Sequence, residues 1–276
     1  MMNKVIVITG ASDGIGAEAA RVLRSLGNRV VVVGRDQEKT AEFALEIGAP
    51  YYVADFASLS QVKALGQKLL ADFPHIDILI NNAGAIMSER QETVDGHEQT
   101  FQINHLSPFL LTRLLLPRLI ADKASIINTS SVANRIYARF DINDLDMHID
   151  YNPQRAYGNT KLANILFTRE LHRRFGDQGV SAVAFHPGNV ATNFSANSTS
   201  YLRLVWQTPL KRFLMTPQKG AETLLWLAKG TPGQDWKPGE YYEKRHIARA
   251  NKQAYDPLLA QKLWEESETM IARFLV

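Results

Sequence analysis

The stretch that decides the fold reads Val5-Ile6-Val7-Ile8-Thr9-Gly10-Ala11-Ser12-Asp13-Gly14-Ile15-Gly16. Its β-branched first half predicts a strand over Val5–Thr9 that is buried on both faces. Helical periodicity follows over Gly14–Leu26, and Gly27 ends that helix. A buried strand that passes through a glycine turn into a helix is typical of the opening unit of an α/β sheet.

The same alternation of strand and helix continues along the chain. Further strands are predicted over Val30–Val33, Tyr51–Ala54, Ile76–Ile80, Ser125–Thr129 and Val180–Phe185, with Gly239–Tyr242 as the last, edge strand. Helices are predicted over Asp36–Ile47, Leu59–Phe73, Gly96–Ile120, Arg155–Phe175 and Ala221–Ala228, with a C-terminal helix over 257–275. Short connections between these elements imply right-handed parallel crossovers. The sequence therefore predicts one α/β domain with a doubly wound parallel sheet of the Rossmann type.

Composition excludes several classes of site. The 276 residues include no cysteine, so disulfides, thiolate metal sites and cysteine nucleophiles are absent. The histidines form no metal-binding pattern, and no metal site is expected. A net charge of +3 is too balanced to indicate nucleic-acid binding. No apolar run is long enough to span a membrane, and we expect a cytoplasmic protein.

The glycine turn after the first strand predicts a dinucleotide site. Backbone amides at a helix N-terminus bind phosphate, and glycines let a pyrophosphate approach closely. The acid at position 13 argues against this interpretation, and the glycines could instead serve only tight strand–helix packing. The predicted cofactor contacts in the turn are Gly10, Ser12, Asp13, Gly14, Ile15 and Gly16.

Arg35 lies at the end of the second strand, where enzymes specific for NAD usually carry a carboxylate. A guanidinium can instead form two hydrogen bonds to a 2′-phosphate, which favours NADP(H). Two alternatives stay open: a solvated loop arginine neutralised by Asp36, or NAD(H) with the same chemistry.

The ends of the third and fourth strands supply candidates for the adenosine half of the cofactor. Asp55 could accept a hydrogen bond from an adenine amino group, and the small residues Ala83 and Gly84 would let the backbone lie against the nucleoside. These residues could also simply cap turns. The predicted contacts here are Asp55, Phe56, Asn82, Ala83 and Gly84.

A tyrosine and a lysine at helical spacing supply the candidate chemistry. Tyr157 and Lys161 lie one turn apart on one face of the predicted helix. A lysine cation would lower the pKa of the phenol and make it usable as an acid or base near neutral pH. Ser131 follows the fifth strand and could bind a carbonyl oxygen beside Tyr157, although a serine there is usually a cap.

Together these motifs resemble the short-chain dehydrogenase/reductase family. The matching stretch runs from about Val5 to Thr192, and two further stretches, 101–112 and 161–167, resemble the branch of retinol dehydrogenases and the WW-domain oxidoreductase. The matching residues are the Thr9–Gly16 turn, Asn81–Gly84, Asn104, Ser131, Tyr157 with Lys161, and Pro187-Gly188 with Thr192.

The resemblance implies a role for each catalytic candidate. Tyr157 would exchange a proton with the substrate oxygen, and Ser131 would orient that oxygen. Lys161 would lower the pKa of the phenol and bind the nicotinamide ribose. Asn104 would hold a water molecule that links Lys161 to solvent. The remaining cofactor contacts implied by the family are Tyr157, Lys161, Pro187, Gly188, Val190 and Thr192.

The resemblance also implies an oxidoreductase that interconverts an alcohol and a carbonyl, and Arg35 favours NADP(H) as its cofactor. The family's substrate lid corresponds to 193–215, whose apolar and aromatic content indicates a bulky or lipophilic substrate. That basic, amphipathic stretch could touch a membrane surface, but an ordinary packed helix is slightly favoured. A nucleotide-binding sensor or scaffold with little turnover is the alternative function. The sequence leaves open whether the chain forms a homodimer.

Overall fold

The eight strands of this computed structural model, which describes residues 3–188 and 216–275, form a single sheet. The strands lie in the order β3-β2-β1-β4-β5-β6-β7-β8. All neighbours pair in parallel except β7 and β8. Their bounds are β1 Val5–Thr9, β2 Arg29–Gly34, β3 Tyr51–Val53, β4 Ile78–Asn81, β5 Ser125–Thr129, β6 Ser181–His186, β7 Tyr241–Glu243 and β8 His246–Ile247.

Helices cover both faces of this sheet, and a hydrophobic core lies under each layer. The predicted fold class, one α/β domain with a doubly wound, mostly parallel sheet, is confirmed. The α-helices are α1 Gly14–Ser25, α2 Gln37–Ile47, α3 Leu59–Asp72, α4 Gln99–Phe101, α5 Ser107–Ala121, α6 Ala133–Ile136, α7 Pro153–Phe175, α8 Pro217–Lys229 and α9 Pro257–Ile271. Short 3₁₀ turns follow α7 at Gly176–Gln178, precede α9 at Lys252–Tyr255 and follow it at Ala272–Phe274.

The predicted helix over Gly96–Ile120 is wrong in its continuity. It is interrupted by a π-helical turn over Gln102–Leu106, which separates α4 from α5. The helix also starts later, because the Glu98 carboxylate caps it by accepting from the backbone amides of Thr100 at 2.9 Å and Phe101 at 2.7 Å. Single π-turns inside helices are frequent at functional sites.

The strand predicted as the sheet's edge is not the edge. β7 pairs in parallel with β6 on one side and antiparallel with β8 on the other. The two residues of β8 are too few to produce an alternating pattern in the sequence. Consequently β6 is the third strand from this end of the sheet, which buries its backbone beside the candidate site.

Two absences hold for the described ranges. None of the helices in 3–188 and 216–275 combines the length and apolar character needed to cross a membrane. Within the same ranges, no group of three or more histidine, aspartate or glutamate side chains is arranged to hold a metal ion.

Candidate active site and cofactor cleft

The predicted motifs meet along one edge of the sheet. Each follows the carboxyl end of a parallel strand: the glycine turn follows β1, and Ser131 follows β5 by two residues. The strand order reverses direction between β1 and β4, and ligands of open α/β sheets bind in the crevice outside that point. The topology therefore brings the motifs to one cleft.

Packing alone already requires glycine at two positions of the turn. A Cβ on Gly16 would lie 2.2 Å from the Gly10 carbonyl oxygen, and a Cβ on Gly10 would lie 2.8 Å from the Cα of Ala83. Gly10 also has a φ of +64°, in the left-handed region. Asn82 holds the turn from β4, because its Nδ2 donates to the carbonyl oxygens of Thr9 at 3.0 Å and Gly10 at 3.1 Å.

Asp13 caps the helix whose N-terminus faces the cleft. Its carboxylate accepts from the backbone amide of Gly14 at 2.7 Å, and its other oxygen lies 2.6 Å from Lys39 Nζ. A helix leaves its first N–H groups without intrahelical partners, and these groups attract anions. The acid that argued against a phosphate site is therefore neutralised by a lysine on α2.

Arg35 follows β2 and is exposed, with no ion pair to any described residue. Asp36 does not neutralise it. The Asp36 carboxylate instead caps α2 by accepting from the backbone amide of Lys39 at 2.9 Å. Gly34, next to Arg35, lies against Ser12. A Cβ at position 34 would come within 2.9 Å of the Ser12 Oγ, which is closer than Cβ atoms ordinarily approach. The glycine turn and the end of β2 thus touch at Ser12.

The adenosine-side candidates make local turns. Asp55 Oδ1 accepts from the backbone amide of Ala57 at 2.9 Å, and its own amide donates to Gln61 Oε1 at 2.9 Å. Phe56 is buried in the core, so its ring is not available to a nucleotide. Ala83 and Gly84 are partly exposed after β4, as a close backbone approach would require.

The three central candidates lie together. The Ser131 side chain lies near enough to the Tyr157 hydroxyl to influence its pKa. Lys161 Nζ lies 5.2 Å from the centroid of the Tyr157 ring and donates to the Thr129 carbonyl oxygen at 3.4 Å. Ser131 Oγ also accepts from the backbone amide of Ala133, the first residue of α6, at 3.2 Å.

The electrostatics of this pair differ from the expectation. Burial raises the pKa of the Tyr157 phenol, and the hydrogen bond to Ser131 acts against that rise. Burial also lowers the pKa of Lys161 to about 7. The lysine is therefore only partly protonated near neutral pH, and the phenol is held in its protonated form. Desolvation outweighs the attraction that the spacing suggested.

Asn104 lies in the π-turn, buried beside the end of β4. Its Nδ2 donates to the carbonyl oxygens of Ala85 at 2.6 Å and Thr100 at 2.8 Å. Its Oδ1 is buried and has no hydrogen-bond partner among the described residues. Such an unpaired oxygen is a favourable place for a bound water.

The nicotinamide-side candidates are described only in part. Pro187 and Gly188 follow β6 and are partly exposed, and Gly188 has a φ of +91°. Val190, Thr192 and the proposed lid at 193–215 lie outside the described residues.

Two residues at this site had no predicted role. Lys39 pairs with Asp13, and its position four residues after Arg35 was the available signal. Asn164 donates from Nδ2 to the Thr129 carbonyl oxygen at 3.1 Å. It lies three residues after Lys161, on the same helical face, and that spacing could have identified it.

Known proteins share this sequence and architecture. A family model described as short chain dehydrogenase matches residues 4–202. The chain is 41% identical, over 97% of its length and 92% of the relative's, to a Streptomyces sp. (strain C5) protein named as a daunorubicin C-13 ketoreductase. It is 38% identical to retinol dehydrogenase 11 of Homo sapiens, over 96% of its length and 84% of the relative's. The crystal structure of an uncharacterized protein from Mycobacterium paratuberculosis superposes with a TM-score of 0.78 at 31% identity, covering 98% of this chain and 94% of that one.

Proposed function

We propose a function on the premise that this chain belongs to the short-chain dehydrogenase/reductase family and to its retinol dehydrogenase-like branch. In this proposal the chain interconverts a bulky, lipophilic alcohol and its carbonyl with NADP(H). Membership makes the chain an oxidoreductase of alcohol and carbonyl groups. The observation that carries the proposal is the contact of Ser131, Tyr157 and Lys161 at the carboxyl edge of the sheet.

In this proposal Tyr157 moves the proton. A raised pKa keeps its hydroxyl protonated, which suits donation to a carbonyl oxygen during reduction. Ser131 Oγ, near that hydroxyl, would hold the substrate oxygen beside it. Lys161 would bind the nicotinamide ribose and add positive charge when protonated. The cofactor supplies the hydride.

Arg35 supports NADP(H) over NAD(H). It is exposed and has no anionic partner among the described residues. Lys39, on the first turn of α2, offsets the charge of Asp13 in the glycine turn. A guanidinium suits a 2′-phosphate, whereas a ribose with free hydroxyls prefers a carboxylate. The N-terminus of α1 would receive the pyrophosphate.

A bulky apolar substrate is supported by the segment after Ser131. It packs on α7, because a Cβ on Gly158 would lie 2.9 Å from the carbonyl oxygen of Ala133. The same segment exposes Ile136 at 60% and Tyr137 at 44%. Relatives named for retinol and daunorubicin, both large molecules, agree with this choice.

Replacing Arg35 tests the cofactor preference. In Arg35→Ala we expect the KM for NADPH to rise about ten- to a hundredfold, because a charge-assisted hydrogen-bonding partner of the 2′-phosphate is lost. The KM for NADH should change less than about threefold. Steady-state kinetics with both cofactors measure this, and Arg249→Ala, at a position beyond β8, is the control. An equal rise in KM for both cofactors would show that Arg35 does not bind the 2′-phosphate.

A substrate series tests the function itself. Each apolar methylene that becomes buried adds about 0.8 kcal/mol, or about fourfold, to binding. We therefore expect kcat/KM for NADPH-dependent reduction to rise steeply from butanal to octanal, and all-trans-retinal to be turned over. Tight NADPH binding without turnover of any aldehyde, ketone or retinoid would favour the sensor alternative instead.

A further inference from the structure

The buried lysine of the site depends on one backbone carbonyl. Lys161 is 2% exposed, and an ammonium group can donate three hydrogen bonds. Among the described residues it donates one, at 3.4 Å, to the carbonyl oxygen of Thr129 at the end of β5. The position of this carbonyl therefore decides whether the Lys161 ammonium has a hydrogen-bond acceptor among the described residues.

Asn164 shares that carbonyl oxygen with Lys161. Its Nδ2 donates to the Thr129 oxygen at 3.1 Å, so the oxygen accepts from two side chains of the same helix. Two donors bound to one oxygen can be no farther apart than two hydrogen-bond lengths. Asn164 is buried, so no solvent competes for its amide.

The side chain of His105, in the π-turn, lies near Asn164. His105, buried and next to Asn104, hydrogen-bonds Ser267 of α9 through Nε2 at 2.9 Å. Its Nδ1 has no partner of ordinary geometry among the described residues. Burial lowers the pKa of His105 to about 4, and a looser hydrogen-bond contact with the Asn164 side chain acts to raise it. His105 is thus neutral near pH 7 and lies against Asn164.

The backbone of Asn164 is anchored to the sheet. Thr168 Oγ1 donates to the Asn164 carbonyl oxygen at 2.7 Å and accepts from Asn128 Nδ2 at 2.9 Å. Asn128 Oδ1 in turn accepts from Asn81 Nδ2 at 2.9 Å. This buried chain fixes α7 over β4 and β5, and thereby fixes the height of Asn164 above the sheet.

We propose that Asn164 is a positioning residue, which holds the Thr129 carbonyl as the acceptor for the Lys161 ammonium. The inference rests on the proposed function, because it assigns Asn164 a task only through Lys161.

The charge environment of Lys161 makes the proposal testable. Among the described residues its titratable neighbours are Tyr157 on its own helix and, beyond Asn164, His105 on the π-turn, and both are neutral near pH 7. Burial alone lowers the pKa of Lys161. A charge placed at position 164 would therefore act on the lysine without a competing ion.

Two substitutions at position 164 should move the lysine in opposite directions. Asn164→Asp places a carboxylate beside the ammonium and should raise the pKa of Lys161 by about one pH unit. Asn164→Leu replaces the amide with hydrocarbon, which desolvates the ammonium further and should lower that pKa. The ammonium form, present below its pKa, would persist to higher pH in the first variant and be lost at lower pH in the second.

The experiment measures the titration of Lys161 directly. Brief acetylation of the intact protein over about pH 5 to pH 10, followed by peptide mass spectrometry, reports the pKa of Lys161 without requiring turnover. The alkaline limb of kcat/KM for NADPH-dependent reduction should move in the same directions. Gln154→Glu is the matched control, since it makes the same amide-to-carboxylate change at an exposed position in the first turn of α7 and leaves both donors to Thr129 in place.

The outcomes separate the possibilities. Opposite movements at position 164, with none in Gln154→Glu, support the positioning role. Equal movement in all variants, or none in Asn164→Asp, overturns it. If Asn164→Leu does not fold, Asn164→Ser takes its place, and an unchanged pKa in both the Asp and the Ser variant likewise overturns the positioning role. Absence of turnover in the wild-type chain overturns the proposed function, a result that labelling alone cannot produce.

Discussion

Tyr157→Phe is expected to lower kcat for NADPH-dependent carbonyl reduction by about 10²- to 10⁴-fold. The substitution removes only the phenolic oxygen, which is the group that the proposed function assigns to proton transfer. The ring that lies 5.2 Å from Lys161 stays in place, so the affinity for NADPH should change little. Steady-state kinetics and fluorescence titration with NADPH measure the two quantities.

Tyr151→Phe provides the matched control. Tyr151 precedes α7, and its hydroxyl lies 3.4 Å from both the Met87 carbonyl oxygen and Glu98 Oε1, away from Ser131. Removing that hydroxyl should leave kcat within about threefold of the wild-type value. Turnover by Tyr157→Phe at a rate near that of the wild type would remove Tyr157 from the reaction, and the role of Lys161 would need to be assigned anew.

Trp264→Ala should lower the free energy of unfolding by about 3–5 kcal/mol, a large share of the stability of a domain. Trp264 is buried on α9, and its ring centroid lies 5.0 Å from that of Phe109 and 5.9 Å from those of Phe167 and Phe175. The indole therefore packs α9 against both α5 and α7. Urea unfolding followed by circular dichroism measures the change.

Leu258→Ala on the same helix separates packing from helix formation. Leu258 is 68% exposed, and its truncation should change stability by less than about 0.5 kcal/mol. A Trp264→Ala variant that keeps its stability but changes its substrate range would instead mean that the indole covers the substrate pocket. The packing of Trp264 also places α9 where Ser267 reaches His105.

Much of the fold could be predicted because its signals are local. β1 and β5 were predicted to the residue, since each is a short apolar run bounded by polar or glycine residues. The π-turn after α4 was missed, because Gln102–Leu106 has ordinary helix-forming residues and its irregularity comes from packing. β8 was missed for the same reason, because its two residues form a strand only against β7.

In the candidate site, too, the features with a local sequence signal were predicted and those that depend on packing were not. The spacing of Tyr157 and Lys161 predicted that they share a helical face, and the structure places them in contact. The net direction of the Tyr157 pKa shift differs from the expectation, because burial outweighs the attraction of the lysine. Proximity can be read from spacing, whereas desolvation depends on what packs above a residue. Lys39 and Asn164 were visible in the sequence, yet only their contacts with Asp13 and Thr129 give them a role.

The sequence by itself determined the order of strands and helices, the family, and which side chains reach the carboxyl edge of the sheet, because those properties follow from periodicity and from motifs a few residues long. Tertiary structure decided the burial of Lys161, the protonated state of Tyr157 and the chain of hydrogen bonds through Asn164. These depend on contacts between distant parts of the chain, such as that between Asn164 and the Thr129 carbonyl oxygen, 35 positions apart. No local pattern encodes the free energy of removing a charge from water, since that cost is set by whichever distant segments close over it.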